Sequence, residues 1–277
     1  MRAGFPTGEN LNLGNLQDHW RAIAQEFKRL EGLPPLAANR MLSARAFDES
    51  QVAGPRTYIE AERYLDVARD NHEALVALLG LHGATLWAPW SLLRPTFEAS
   101  FRAAWILDPE DGRERRARGL RCEILDSYEQ RRHRTALKAF RDPELRKLIE
   151  LSEANTEKTS LTTYREEAAA LGRTFDKLRQ TINVTDELPK LSFVRGQDQF
   201  APFLEAIWRQ LSGFEHGFGW ALLSGTNREV VAHIPGGAEM RLIINDESFV
   251  NAAKFTYFLL ISACRLFTRR HLEPSRH

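Results

Sequence analysis

Leu86 to Leu107 reads LWAPWSLLRPTFEASFRAAWIL, the most apolar stretch of the chain. Three tryptophans, two phenylalanines and a set of aliphatic residues surround only three charges, Arg94, Glu98 and Arg102. A helix apolar on nearly every face belongs in a protein interior. The three charges are spaced i, i+4, i+8 and therefore stack along one side of it. Charge in an interior must be paired. The ladder is thus expected either to be a buried ion-pair network that fixes helix packing or to form an anion-binding pocket. In the pocket, Glu98 orients one guanidinium while the other faces a phosphate or carboxylate. Pro89 suits a first helical turn. Pro95, in mid-helix, removes a backbone donor and kinks the helix. The carbonyls of Ser91 or Leu92 then need another donor, for which Arg94 and Arg102 are the candidates.

A buried helix needs neighbours, and the flanking sequence supplies them. Leu16, Trp20, Ile23, Ala24 and Phe27 follow helical spacing, with Gly32 as a stop. Residues 1–14 read as a flexible lead-in, and 33–55, with Pro34, Pro35, Gly54 and Pro55, as a long loop with room for one helical turn. Thr57 and Glu60 form a capping-box pattern, opening a helix to Leu81 with Ile59, Leu65, Val67, Leu75, Leu78 and Leu79 inward. Downstream, helices are expected over 113–140, over 143–182 with a break near 159–163, over 200–223, and over 247–271 behind an Asp246 cap. Between the last two, REVVAHIPGGAEMRLII at 228–244 switches to strand-like runs around Pro235-Gly236-Gly237, a hairpin signal.

The expected fold is all-α: a helical bundle of about seven helices with one small β-hairpin before the last. Segments 57–82, 86–107, 200–223 and 247–271 form its four-helix core. Residues 15–277 are expected to make one helical domain, with 113–182 projecting as an αα-hairpin that can self-associate into a homodimer.

Composition bounds the function classes. The 277 residues are 43% hydrophobic and 27% charged, with a net charge of +1, so global charge argues for no particular partner. Between Arg113 and Lys147, twelve Lys/Arg face six Asp/Glu. This reads as a solvated helix face before it reads as a nucleic-acid surface. Only Tyr128 and Phe140 interleave with those arginines, too few for a stacking platform. Cys122 and Cys264 lack CxxC spacing and are expected as buried free thiols in a reducing compartment. The N-terminal residues lack the apolar core of a signal peptide. The apolar run Phe255–Cys264 is too short to span a bilayer and is bracketed by Lys254 and Arg265. A cytoplasmic protein with no membrane partner is therefore expected. The sequence contains no HExxH, GxGxxG, P-loop or GxSxG pattern and no compact His/Cys/Asp cluster, so neither a metal nor a cofactor is expected.

A second constellation lies in Trp208-Arg209-Gln210-Leu211-Ser212-Gly213-Phe214-Glu215-His216-Gly217. Arg209, Ser212 and His216 share a helical face at i, i+3, i+7. Histidine titrates near neutrality and can move protons. Gly213, Gly217 and Gly219 permit close backbone approach. An arginine followed by histidine after six intervening residues resembles the Arg-x4–6-His signature of the HEPN superfamily of helical domains. Many of these are metal-independent endoribonucleases acting as dimers. The pairing of an Arg-x-x-x-Glu helix, here Arg94 to Glu98, with a later Ser-x-x-x-His-Gly helix is also similar to uncharacterised bacterial proteins related to that superfamily. The resemblance covers about 57–271.

It implies RNA or a nucleotide as partner, with Arg209 and His216 as catalytic residues and Arg94, Glu98, Arg102 and Ser212 in binding roles. His216 would act as general base or acid for attack of a ribose 2′-hydroxyl on the adjacent phosphate, and Arg209 would steady the developing charge. Along one helix their Cα atoms stand about 10 Å apart, so they meet only across a bound phosphate or between two copies. Gln210 stands where active members of the superfamily carry Asn, Asp or His. The alternative is a non-catalytic helical interaction or scaffold protein whose buried ion pairs are structural.

Overall fold

The structure, a computed structural model, describes residues 14–36, 43–140, 142–197 and 199–274, without the side chains of 15, 145 and 152–160. The expected lead-in therefore lies almost wholly outside the described residues. Among the described residues the chain is mostly helical, with one two-stranded antiparallel sheet and more helices than the expected seven. The α-helices are α1 (Gly14–Glu31), α2 (Ala44–Glu49), α3 (Gly54–His82), α4 (Ala88–Leu107), α5 (Gly112–Leu137), α6 (Pro143–Ala170), α7 (Phe175–Leu178), α8 (Val184–Glu187), α9 (Phe200–Glu215), α10 (Gly219–Ser224) and α11 (Asp246–Leu272). Strands β1 (Thr226–Ile234) and β2 (Gly237–Ile244) precede α11. The additional elements are short: α2, capped by the Ser43 hydroxyl accepting from Ala46 N, α7, α8 and α10.

Several boundaries differ from the sequence expectation for identifiable reasons. Helix α3 begins at Gly54, ahead of the Thr57–Glu60 pattern. Pro55 fits its first turn, and Thr57 lies inside it, its hydroxyl donating to Ala53 O. The buried seam of α3 is Tyr58, Ala61, Leu65, Ala68, His72, Leu75 and Leu79, while Ile59 and Val67 face solvent. That seam alternates steps of three and four residues, as one helical stripe must. Choosing the large aliphatics caught Leu65, Leu75 and Leu79 but not the other four, Tyr58, Ala61, Ala68 and His72. Helix α6 stops at Ala170 with the two hydrogen bonds of a Schellman motif. Arg173 N donates to Ala168 O and Gly172 N to Ala169 O, both at 2.8 Å, with Gly172 at φ +65°. Helix α11 is capped by Asn245, whose side chain accepts from Ser248 N at 2.8 Å, rather than by Asp246.

The chain divides into two compact units. The first comprises residues 1–33, 63–104 and 184–268, and the second 34–62, 105–183 and 269–277. Helices α3, α4 and α11 contribute residues to both. In the first unit Trp90 of α4 stacks on Phe214 of α9 at 4.3 Å and meets Phe249 of α11 edge-on at 5.2 Å. Tyr257 of α11 meets the His72 ring of α3 at 5.0 Å and accepts from Trp20 Nε1 of α1 at 3.1 Å. Among the described residues α11 alone has the length and composition of a membrane-spanning helix, and 61% of its apolar window is buried inside the protein.

In the second unit Ala117, Leu120 and Ile124 of α5 form a cluster with Tyr164 and Ala168 of α6 and with Leu171 and Leu178. Gly119 lets α5 touch the backbone of α3, since a Cβ there would stand 2.5 Å from Thr57 Cα. Cys122 and Cys264 are both buried; burial pushes the Cys264 thiol up to about 12.

Candidate functional site

The charges of α4 separate into two environments. The Arg94 side chain is 7% exposed. Its Nη2 meets Glu98 Oε1 at 2.6 Å, its Nε meets Glu215 Oε2 at 3.2 Å, and its Nη1 donates to Trp208 O at 3.4 Å. The guanidinium also lies over the Trp208 ring, 4.9 Å from the centroid, and Trp208 Nε1 donates to Glu98 Oε1 at 3.4 Å. Every guanidinium nitrogen thus has a partner within the chain. Arg102 does not extend the network. It lies over the Tyr64 ring at 5.7 Å and makes no ion pair among the described residues. Neither arginine reaches a carbonyl beside Pro95, where the Thr96 hydroxyl donates to Leu92 O at 2.9 Å.

The residues of α9 that meet Arg94 are Trp208 and Glu215, seven residues apart on one face. Arg209 and His216 sit outside it. Arg209 is exposed and gives both Nε and Nη2 to Glu205 Oε1, at 2.9 and 2.7 Å. Its guanidinium is 6.0 Å from the Trp208 ring. Ser212 is half-buried, and its carbonyl accepts from His216 N at 3.1 Å. Gln210 donates to Ser248 Oγ at 3.0 Å.

His216 is the exposed C-cap of α9, its ring 5.7 Å from that of Phe218. Gly217 follows at φ +68°. Phe218 N donates to Gly213 O at 2.9 Å and Gly217 N to Phe214 O at 3.1 Å, a second Schellman end. The expected helix over 200–223 is therefore two helices, because Gly217 reverses the chain. Helix α10 folds back on α9 at Gly213, where a Cβ would stand 2.6 Å from Ala221 Cβ and 2.7 Å from the Trp220 ring. Of the three glycines expected to permit close approach, Gly213 does so, Gly217 makes the turn, and Gly219 faces open space. The reversal leaves Phe218, Trp220 and Leu223 half exposed.

A second group of buried charges carries no motif that the sequence reading singled out. Arg115 and Asp48 are fully buried, with Nε to Oδ2 at 2.7 Å, and the Tyr58 hydroxyl donates to the same oxygen at 2.8 Å. Burial, and the neighbouring Asp48, push the Tyr58 hydroxyl far above its ordinary value. Arg115 Nη1 donates to the carbonyls of Pro109 and Glu110, and Arg270 to those of Leu107, Asp108 and Pro109. Five arginines of the basic stretch on α5 are bound in this way. Arg113 reaches Leu171 O, Arg116 reaches Gly112 O, Arg118 reaches Trp105 O and Arg121 reaches Gln180 O, beside the Arg115 contacts. The first half of the expected solvated face is thus directed at backbone carbonyls. Among the described residues no three His, Cys, Asp or Glu side chains gather as a metal-binding group. Comparison of the chain with protein-family models, curated proteins and solved structures finds no match.

Proposed function

We propose that this chain is a non-catalytic helical interaction protein whose buried ion pairs serve the fold. The observation that carries the reading is the environment of Arg94. Each of its guanidinium nitrogens already has a partner in Glu98, Glu215 or Trp208, and the side chain is 7% exposed, so little of it is offered to an anionic ligand. Arg209 is likewise engaged by Glu205. Large apolar side chains also face solvent: Phe218, Trp220 and Leu223 around α10, and Val230, Val231, Ile234 and Met240 on the hairpin. Exposed apolar groups gathered along one stretch of chain are what a protein contact uses.

A second reading is the HEPN-like one, an RNA- or nucleotide-binding protein or a metal-independent endoribonuclease. One observation favours it: exposed Arg209 and His216 are followed at once by exposed Phe218 and Trp220. A cation and a proton carrier beside stacking rings is what a phosphate and an unpaired base require. The experiment that separates the two is incubation of purified protein with total RNA, beside a His216→Ala variant. The interaction reading expects intact RNA with both proteins. Cleavage by the wild type that His216→Ala abolishes would overturn it in favour of the nuclease.

A further inference from the structure

The hairpin carries a pattern that the rest of the molecule does not use. Strands β1 and β2 form a sheet of two, so each has one edge without a strand partner among the described residues. From Asn227 to Arg241 nearly every residue on both faces is exposed. A bare two-stranded ribbon is marginal in water, and open edges are sites for pairing with another chain. The two edges differ. In β1 the register slips between Val230 and Ala232, a bulge at Val231, and bulges blunt an edge. In β2 the register is unbroken from Gly237 to Ile244.

The sequence of β2 is complementary to itself. In antiparallel pairing about a two-fold axis through Met240, Glu239 faces Arg241 of the second copy and Arg241 faces its Glu239. The opposed residues then lie on the same face, as a pleated sheet requires. Within the hairpin Arg241 is already opposite Glu229, and Met240 opposite Val230. Joining two copies therefore builds one row of alternating sign, Glu229, Arg241 and the second copy's Glu239. It also builds one apolar row on the other face: Val230, Met240, Met240 and Val230. Glu229, Glu239 and Arg241 are all exposed and make no ion pair among the described residues; Val230 and Met240 are 52% and 50% exposed.

We propose that two copies of this chain associate through the free edge of β2, with Met240 at the two-fold axis, into a continuous four-stranded antiparallel sheet. The assembly closes at two, because only the bulged β1 edges remain outside. It rests on the interaction reading and names the occupant of that surface. The contact is one strand edge, which falls at the small end of stable interfaces, so the dimer forms in the micromolar range.

The test is sedimentation of the full chain from about 1 to 300 µM, a span that brackets such an affinity. The wild type should shift from monomer to dimer. Glu239→Arg and Arg241→Glu should each weaken association about tenfold through two like-charge pairs, and the double exchange should restore it. In parallel, Met240→Cys should yield a cross-linked dimer on mild oxidation, its thiols facing across the axis, whereas Ile234→Cys should not; both native cysteines are buried. A wild type that stays monomeric, a dimer indifferent to both single charge changes, an exchange that fails to restore it, or equal cross-linking of both cysteine variants overturns the proposal. None of these outcomes bears on RNA cleavage, so the dimer can fail while the interaction reading stands, and the reverse.

Discussion

Arg94 sits in an apolar helix between two carboxylates of unequal burial, the Glu98 side chain 33% exposed and that of Glu215 50%. Removing the guanidinium takes from Glu98 its 2.6 Å donor and leaves it the longer contact from Trp208 Nε1. Arg94→Met should therefore cost about 3 kcal/mol, the range for breaking a buried pair from one side, read as a lower denaturation midpoint. Glu215→Gln should cost under about 1 kcal/mol, because that partner is largely in water.

His72 is a second residue whose environment makes a measurable statement. Desolvation beside Tyr257 lowers its pKa to about 4, against a small opposing effect of Glu73. The unfolded chain takes up this proton near pH 6.5 and the folded chain only near 4. Stability is therefore highest above pH 6.5 and falls as the pH drops towards 4, by up to about 3 kcal/mol. His72→Leu should lose that part of the pH dependence when urea unfolding is compared at pH 7.5 and 4.5.

At the scale of elements, glycine decides where helices stop and where they touch. Gly119 and Gly80 are both interior helix glycines, which the sequence alone treats alike. A methyl group at Gly119 collides with the Thr57 backbone, whereas at Gly80 it meets nothing within 4 Å. Gly119→Ala should destabilise by about 2 kcal/mol through forced displacement of α3 against α5. Gly80→Ala should stabilise by about 1 kcal/mol through helix propensity. Opposite shifts in thermal midpoint check both; shifts of the same sign would refute the contact.

The long helices were legible as elements, because their apolar spacing is local information. The α9 terminus was not. The run Ser212-Gly213-Phe214-Glu215-His216-Gly217, where the sequence placed a candidate catalytic histidine, is a helix end with His216 as cap and Gly217 in the left-handed conformation. The glycine was visible, but its role depends on Gly213 having Ala221 and Trp220 folded against it.

Across the whole molecule, arginine is used as a structural residue. There are 31 arginines and 7 lysines, and many of the arginines end on backbone carbonyls. A planar guanidinium can serve two or three such acceptors at once, and an ammonium on a flexible stem serves them poorly. Arg270, holding three carbonyls between Leu107 and Pro109, is buried. Arg270→Lys should therefore cost about 2 kcal/mol even though charge is kept. Arg132→Lys, at an exposed pair with Glu129, should change stability by less than about 0.5 kcal/mol. Equal losses at both positions would show that arginine's charge rather than its shape matters here.

The sequence by itself determined that this chain is mostly helical, that 228–244 forms a hairpin around Pro235-Gly236-Gly237, and that the three charges of 86–107 share one face of an apolar helix, where they need partners. Each follows from hydrophobic period, turn chemistry or the cost of unpaired charge, and all of these act over a few residues. Only the tertiary structure decided which partner each charge takes. Glu98 lies four residues from both Arg94 and Arg102, yet Glu215 and Trp208, more than a hundred residues away, close the network with Arg94 and leave Arg102 on Tyr64. Spacing on one helix states which groups share a face. What that face meets is set by the fold of the rest of the chain, because desolvation leaves a buried charge only the partners that packing brings within about 3 Å.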